Sequence, residues 1–453
     1  MSSGPAGPGG REPAGPTGSA ATRYCADVIV TADETGAVHR SGALDVGADG
    51  RVAWVGPLAE APDPDGEVID LGGLLMPGLV NAHGHTPMTL VRSAGDGLPL
   101  DRWLTEGVWP REGRMTAEDV WWGMALGSLE MLRAGVTTSC EMYLFEEAVI
   151  DAVGHTGGRL VMTPGVVSAL HADTFGSSSD RVAAIADVHA RHHDPGGRIT
   201  VGVAPHSLYD LGIDMVVELA ESARSLVPLL HLHLEETQRE RVEVIDRFGR
   251  PAVLLLAERG VLDGAVLAAH CVWVDDTEAD ALADHGVAIA HCPQSNMKLG
   301  SGIAPVAGYR RRGITVALGT DGPASNDDLD LWEEMKLAPL LARVGGDPAA
   351  MSPQDALAMA TREGGRALGL RDVGHLSPGA WADFQRIDLD QPAFVPLTGP
   401  EDLLAHLVFA GSSRYVTDVW VAGHQVVSAG ECTTIDRHEA QAQVGERALR
   451  LAG

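Results

Sequence analysis

From Gly78 to Gly322, one short apolar run after another stops at a histidine or an aspartate. "GLVNAH" ends in His83, with His85 just beyond. "VAPH" ends in His206, "LLHLHLEE" carries His231, His233, Glu235 and Glu236, "AAH" ends in His270, and "ALGTD" ends in Asp321. Between these runs lie Ala-, Leu-, Glu- and Arg-rich stretches with helical spacing, at 116–134, 213–225 and 238–259. Alternation of this kind over 77–375 predicts parallel βα units in an α/β fold, either a closed barrel or an open sheet wound on both sides. In a parallel barrel the C-terminal strand ends meet at one mouth, where catalytic groups sit. One polar strand end means little. Their recurrence in chain order is the constraint.

The two chain ends read differently. In 23–76, "CADVIVTAD", "GALDVGADGRVAWVGP" and "GEVIDLGGLLMPG" predict a small antiparallel sheet, with Gly-Ala-Asp-Gly as a hairpin turn. The β-rich pattern returns in 376–433, where "RYVTDVWVAGHQVVSAGE" predicts a further hairpin. β-rich ends that bracket a βα middle predict one composite β domain. Residues 434–453 read as a helix, and 1–22, rich in Gly, Pro, Ser and Ala without an apolar core, as a disordered leader. A barrel with a smaller companion domain suits 453 residues better than equal domains do. Apolar residues make up 45% and aromatics only 4%, as small-residue α/β packing requires.

Acidic side chains outnumber basic ones 62 to 33, a formal charge of −29. Such a surface repels phosphate backbones and anionic lipid heads. No uncharged apolar run approaches the roughly 20 residues of a membrane span. The 5 cysteines (Cys25, Cys140, Cys271, Cys292, Cys432) form no CxxC pair, which argues for a reducing, cytoplasmic setting. The expected partners are a small-molecule substrate and further copies of the chain in a homo-oligomer, with no nucleic acid polymer and no membrane.

On a strand, residues two apart point to one side, so His83 and His85 are placed to chelate together. With His233 and Asp321 they offer three imidazoles and a carboxylate, a set suited to one Zn2+ or Fe2+ rather than Mg2+ or Ca2+. Such an ion leaves a position for water and lowers its pKa from about 15.7 toward about 7. Glu236, at the strand exit after His233, is the expected proton shuttle, with Glu235 its competitor. His270 is expected to hydrogen-bond the water or the developing oxyanion, and Asp321 to share in proton transfer. Blander readings cover the rest: solvated histidines at 155, 171, 189, 192 and 193, packing for Trp121 and Trp122, core thiols for Cys271 and Cys292, and a loop over 295–302.

Together, "MPGLVNAHGHTPMTLVRS", "LPLDRWL…VWPREGRMT", "EMLRAGVTT", "HLHLEET", "AAHCVWV", "HCPQSNMKLGSGIAPV" and "LGTDGPASNDDLDLWEEMK" resemble the deaminase–chlorohydrolase branch of the amidohydrolase superfamily. The resemblance is closest to the 5′-methylthioadenosine/S-adenosylhomocysteine deaminases and runs from about Ala26 to Gln425. It implies a distorted (β/α)8 TIM barrel, a β-sandwich built from both chain ends, and one divalent metal, usually zinc. It maps the metal ligands onto His83, His85, His233 and Asp321, the acid onto Glu236, and the "AAHC" histidine onto His270. It also implies ribose binding by Glu112 of "WPRE" and pocket lining by His206, and Trp109, which opens the same segment, is a candidate substrate contact.

The sequence departs from the family at Gly84, where members carry a threonine, and at Pro164, where homocysteine-binding members carry an arginine. Proline cannot pair with a carboxylate. Arg181 is the remaining candidate for a second arginine. The implied activity is hydrolytic deamination of a purine-like substrate, an adenosine-type nucleoside with a modified, neutral 5′ position. The alternatives are a triazine-type chlorohydrolase, a deaminase of a guanine-, pterin- or cytosine-like ring, and a non-catalytic metal- or ligand-binding barrel. Glu236 favours deamination, because ammonia leaves badly unless its nitrogen is protonated.

Overall fold

A computed structural model describes residues 21–168, 178–224, 226 and 229–453. Most of the expected leader, and His171, lie outside the described residues. Strands are numbered in chain order. The N-terminal segment forms β1 (Ala21–Val30), β2 (Val38–Val46), β3 (Val52–Pro57), β4 (Gly66–Asp70) and β5 (Leu74–Pro77). Ala21 and Thr22, expected in the leader, already belong to β1. The middle supplies β6 (Leu79–Gly84), β7 (Val136–Tyr143), β8 (Arg159–Val166), β9 (Ile199–Val201) and β10 (Ala204–Pro205). It continues with β11 (Leu230–Leu234), β12 (Val266–His270), β13 (Ala288–His291) and β14 (Val316–Leu318). The C-terminal segment adds β15 (Phe384–Ile387), β16 (Val416–Val421), β17 (His424–Ser428) and β18 (Glu431–Cys432), then a helix over Arg437–Ala452.

Both chain ends enter one 9-stranded sheet, in which β15 lies against β5. The sheet is mixed rather than purely antiparallel as expected, because β1 pairs parallel with both β4 and β5. Parallel pairing needs a crossover rather than a tight turn. The stretch 58–65, with Pro62 and Pro64, carries the chain back for it. The predicted hairpins are present between β2 and β3 and between β16 and β17.

The middle strands pair in parallel, β6–β7–β8 with β9 and β10 beside β8, and β11–β12–β13–β14. Parallel bridges Val203↔Leu230 and Ser207↔His233 connect these two groups on one side, and Gly84↔Asp321 connects them on the other. Strand period two sorts the core. Val80, Ala82, Cys140, Val161, Leu267 and Ala290 pack in one cluster of small side chains. Alternate residues such as Leu160, Leu232, Val266 and Ile289 pack into the larger cluster that includes the helices.

The helices predicted at 116–134 and 213–225 appear as Ala117–Arg133 and Ile213–Arg224. The one predicted at 238–259 is broken into Gln238–Phe248 and Ala252–Glu258. Gly249, at φ 73, closes the first, and Pro251 cannot donate a helical hydrogen bond across the gap. Among the described residues no helix is long and apolar enough to cross a membrane.

Candidate active site

The polar strand ends converge. Ligand-type atoms of His83, His233, His270 and Asp321 all lie within 4.8 Å of one another. His85 joins them, with Nε2 3.2 Å from Asp321 Oδ1 and 3.3 Å from His233 Nε2. All are buried. His270 and Asp321 hold left-handed backbone, at φ 72 and 61, and so does Glu235 at φ 50. A non-glycine residue in that region costs on the order of 1–3 kcal/mol, and such strain gathers at functional sites.

Each group has its far side tied down, which leaves its near side for the centre. His85 Nδ1 donates to Met142 O at 2.6 Å, and His233 Nδ1 donates to His206 O at 3.0 Å. Asp321 Oδ2 accepts from Ser295 Oγ at 2.6 Å and Ser325 Oγ at 3.0 Å. Its Oδ1 therefore faces the imidazoles, 3.4 Å from His83 Nε2. Burial would raise Asp321, but the imidazoles of His83 and His85 beside it hold it well below the usual carboxylate range. Burial lowers His83 to about 4 and His233 far below its ordinary value, so both are neutral with free lone pairs. His85 is lifted to about 9 against burial by the same Asp321.

His83 Nε2 is buried and makes no hydrogen bond of proper geometry. An orphaned imidazole nitrogen aimed at other lone pairs and an anionic oxygen is unfavourable unless a cation draws them together. The donor set fits a borderline divalent ion such as zinc.

Glu236 stands beside this centre, its Oε2 3.9 Å from His270 Nε2. Burial pushes its carboxyl above the usual range. His270 Nδ1 donates to Asn296 Oδ1 at 2.9 Å, which leaves Nε2 turned toward Glu236. The competing Glu235 points elsewhere, accepting from Ala252 N and pairing with Arg241. A cavity opens over the centre, lined by His85, His206, His233, Glu236, His270 and Asp321 on its polar side. Trp103, Leu104, Trp109 and Leu299 form its apolar side. Glu112 also lines it, buried, and accepts from Tyr143 OH at 2.8 Å.

The expected ligands, Glu236, His270, Glu112, His206 and Trp109 are thus brought together. Arg181 is not. It is buried beside Glu146, and no lysine or arginine is among the described residues lining the cavity. Ser295, Asn296, Ser325, Tyr143 and Tyr209 were not singled out from the sequence. Part of the expected loop 295–302 belongs to a helix, Pro293–Lys298, that carries Ser295 and Asn296 to the site. The signal was Pro293, a favoured first helical residue. The helix is too short for periodicity to show.

A fold of this order, with this strand-end site, belongs to the amidohydrolase family, which matches residues 74–426. The chain is 42% identical over 404 residues to a 5-methylthioadenosine/S-adenosylhomocysteine deaminase of Moorella thermoacetica, covering 88% of this chain and 93% of that protein. It is 36% identical to a 5′-deoxyadenosine deaminase of Methanothermobacter thermautotrophicus, covering 94% of this chain and 99% of that one. Its structure resembles that of an adenosine deaminase from Xanthomonas campestris with bound zinc, at TM-score 0.89 and 31% identity, covering 95% and 98% of the two chains.

Proposed function

We propose that the chain is a zinc-dependent aminohydrolase that deaminates an adenosine-type nucleoside with a neutral 5′ substituent, releasing ammonia. The observation that carries this reading is the buried group of His83, His85, His233 and Asp321 with Glu236 and His270 beside it, at the floor of a cavity that also holds Glu112. In this reading residues 77–375 form a distorted (β/α)8 barrel, and 23–76 with 376–433 form a composite β-sandwich. The strongly acidic surface and the scattered thiols support a cytoplasmic enzyme of small molecules.

His83, His85, His233 and Asp321 would hold the ion, which supplies Lewis acidity and a water acidic enough to react near neutral pH. The chain's own groups move the protons. The water oxygen adds to the amine-bearing carbon, and Asp321 or His270 accepts one of its protons. Glu236 protonates the adjacent ring nitrogen. The proton taken from the water passes to the amino group, the C–N bond breaks, and ammonia leaves as the ring C=O forms. Glu236 recovers the second water proton, so the sum is water in and ammonia out.

Two expected results test the substrate side. With no cation among the described lining residues, a carboxylate tail loses a charged partner worth about 1.5–3 kcal/mol. Neutral 5′-deoxyadenosine and 5′-methylthioadenosine should therefore exceed S-adenosylhomocysteine in kcat/KM by about tenfold or more. Ammonia release across that panel is the measurement, and preference for S-adenosylhomocysteine would reverse the reading of Pro164. Replacing Glu112 by Ala should raise KM for the nucleoside by about 10–100-fold and change kcat less. Free adenine serves as the comparison. An equal loss on the base would mean that Glu112 supports the fold and not the ribose.

A further inference from the structure

The "HLH" of β11 contains two histidines of the same strand parity, yet they meet different partners. His233 faces the centre. His231 is fully buried; its Nε2 lies 2.9 Å from His83 Nδ1 and its Nδ1 3.0 Å from Thr163 Oγ1. Cys140 Sγ stands 3.6 Å from the same Nδ1, too weak an acceptor to decide the proton's place.

The proton order can be followed from the far end. Thr163 Oγ1 lies 3.0 Å from the backbone oxygen of Glu141. Two oxygens at that distance repel unless a proton sits between them, so the hydroxyl's one proton goes to Glu141 O. Thr163 Oγ1 then accepts, and His231 Nδ1 donates. A neutral imidazole has one N–H, and fully buried His231 meets a hydroxyl and a ring nitrogen at its two nitrogens, neither of them a counterion to a charged ring. Its Nε2 is therefore the acceptor for His83 Nδ1–H. His83 is left with its lone pair on Nε2, the atom that faces Asp321 and His85 without a hydrogen bond. The threonine hydroxyl thus sets the orientation of an imidazole two links away.

We propose that His231 is a positioning residue: held by Thr163, it fixes the His83 tautomer so that Nε2 presents its lone pair to the metal. This rests on the metal centre proposed above. A histidine filling core space would show no such chain of directed bonds, and its loss would change stability without changing the affinity for zinc.

The test uses the full-length protein, zinc affinity by chelator competition, and neutron diffraction to locate the ring protons. His231→Leu should weaken zinc binding about 10–100-fold, the usual cost of losing a group that orients a ligand. His231→Gln, whose amide oxygen can take the place of Nε2 as acceptor, should bind zinc close to wild type. Thr163→Val should fall between them, and Thr163→Ser should restore affinity. A folded His231→Leu protein with wild-type zinc affinity overturns the proposal, as does His231→Gln as weak as His231→Leu. Should His231→Leu fail to fold, equal affinities of Thr163→Val and Thr163→Ser overturn it. Neutron density should show protons on Nδ1 of both His231 and His83. Protons on Nε2 instead would overturn the relay even if zinc binds. Wild-type protein that takes up no zinc while showing the proposed protons would sink the metal reading and leave the relay standing.

Discussion

Replacing Glu236 by Gln is expected to lower ammonia release by about 10²–10⁴-fold while zinc content stays at the wild-type level. The carboxyl is nearly fully buried, 4% exposed, beside His270 and within the cavity that holds the reacting ring. Burial raises its affinity for a proton, which suits a group that must give one to a ring nitrogen and take one back. Its backbone N–H is bonded by Glu240 Oε2 at 2.8 Å, so the amide variant should keep its place. Glutamine matches the shape and cannot shuttle. Steady-state ammonia release, with metal content measured on the same samples, separates lost chemistry from lost metal. Full turnover by metal-loaded Glu236→Gln would remove the acid from the mechanism and reopen the chlorohydrolase alternative.

The residues that could be read from sequence are those whose position follows from strand geometry. His83, His85, His233, His270 and Asp321 were legible because an apolar run fixes where a strand ends, and a parallel arrangement carries those ends to one place. The role of His231 was not legible, because residue type and period two are the same for a ligand and for the group one layer below it. Only depth along β11 distinguishes them. Ser295 and Asn296 were hidden in a helix of 6 residues, shorter than the window periodicity needs. Glu235 and Glu236 were adjacent candidates. They separated only when the left-handed turn at Glu235 sent one carboxylate to Arg241 and the other into the cavity. In the terminal sheet the strand segments were readable, but the parallel placement of β4 and β5 against β1 depends on long-range pairing. Arg181, proposed by likeness to a second arginine, is not among the described residues that line the cavity.

Asp321→Asn should cost zinc affinity about 3–5 kcal/mol, the scale of removing one partner from a buried charge pair, or about 10²–10⁴-fold. Asp321 is the one carboxylate in the proposed ligand set, and its two oxygens already have separate work. Oδ2 is held by Ser295 and Ser325, and Oδ1 faces His83 and His85. An amide cannot reproduce both. If its NH2 turns toward the serines, it presents a donor where two hydroxyls now donate. If it turns toward the imidazoles, it presents a donor where the ion requires an acceptor. Saturating zinc should therefore restore occupancy but not rate, since the neutral amide no longer attracts the cation strongly and cannot take the water's proton. Chelator competition measures the first effect, and ammonia release at saturating zinc measures the second. Wild-type affinity in Asp321→Asn would show that the imidazoles alone hold the ion. Full rate at saturating zinc would assign the water's proton to His270, whose Nε2 faces the same space.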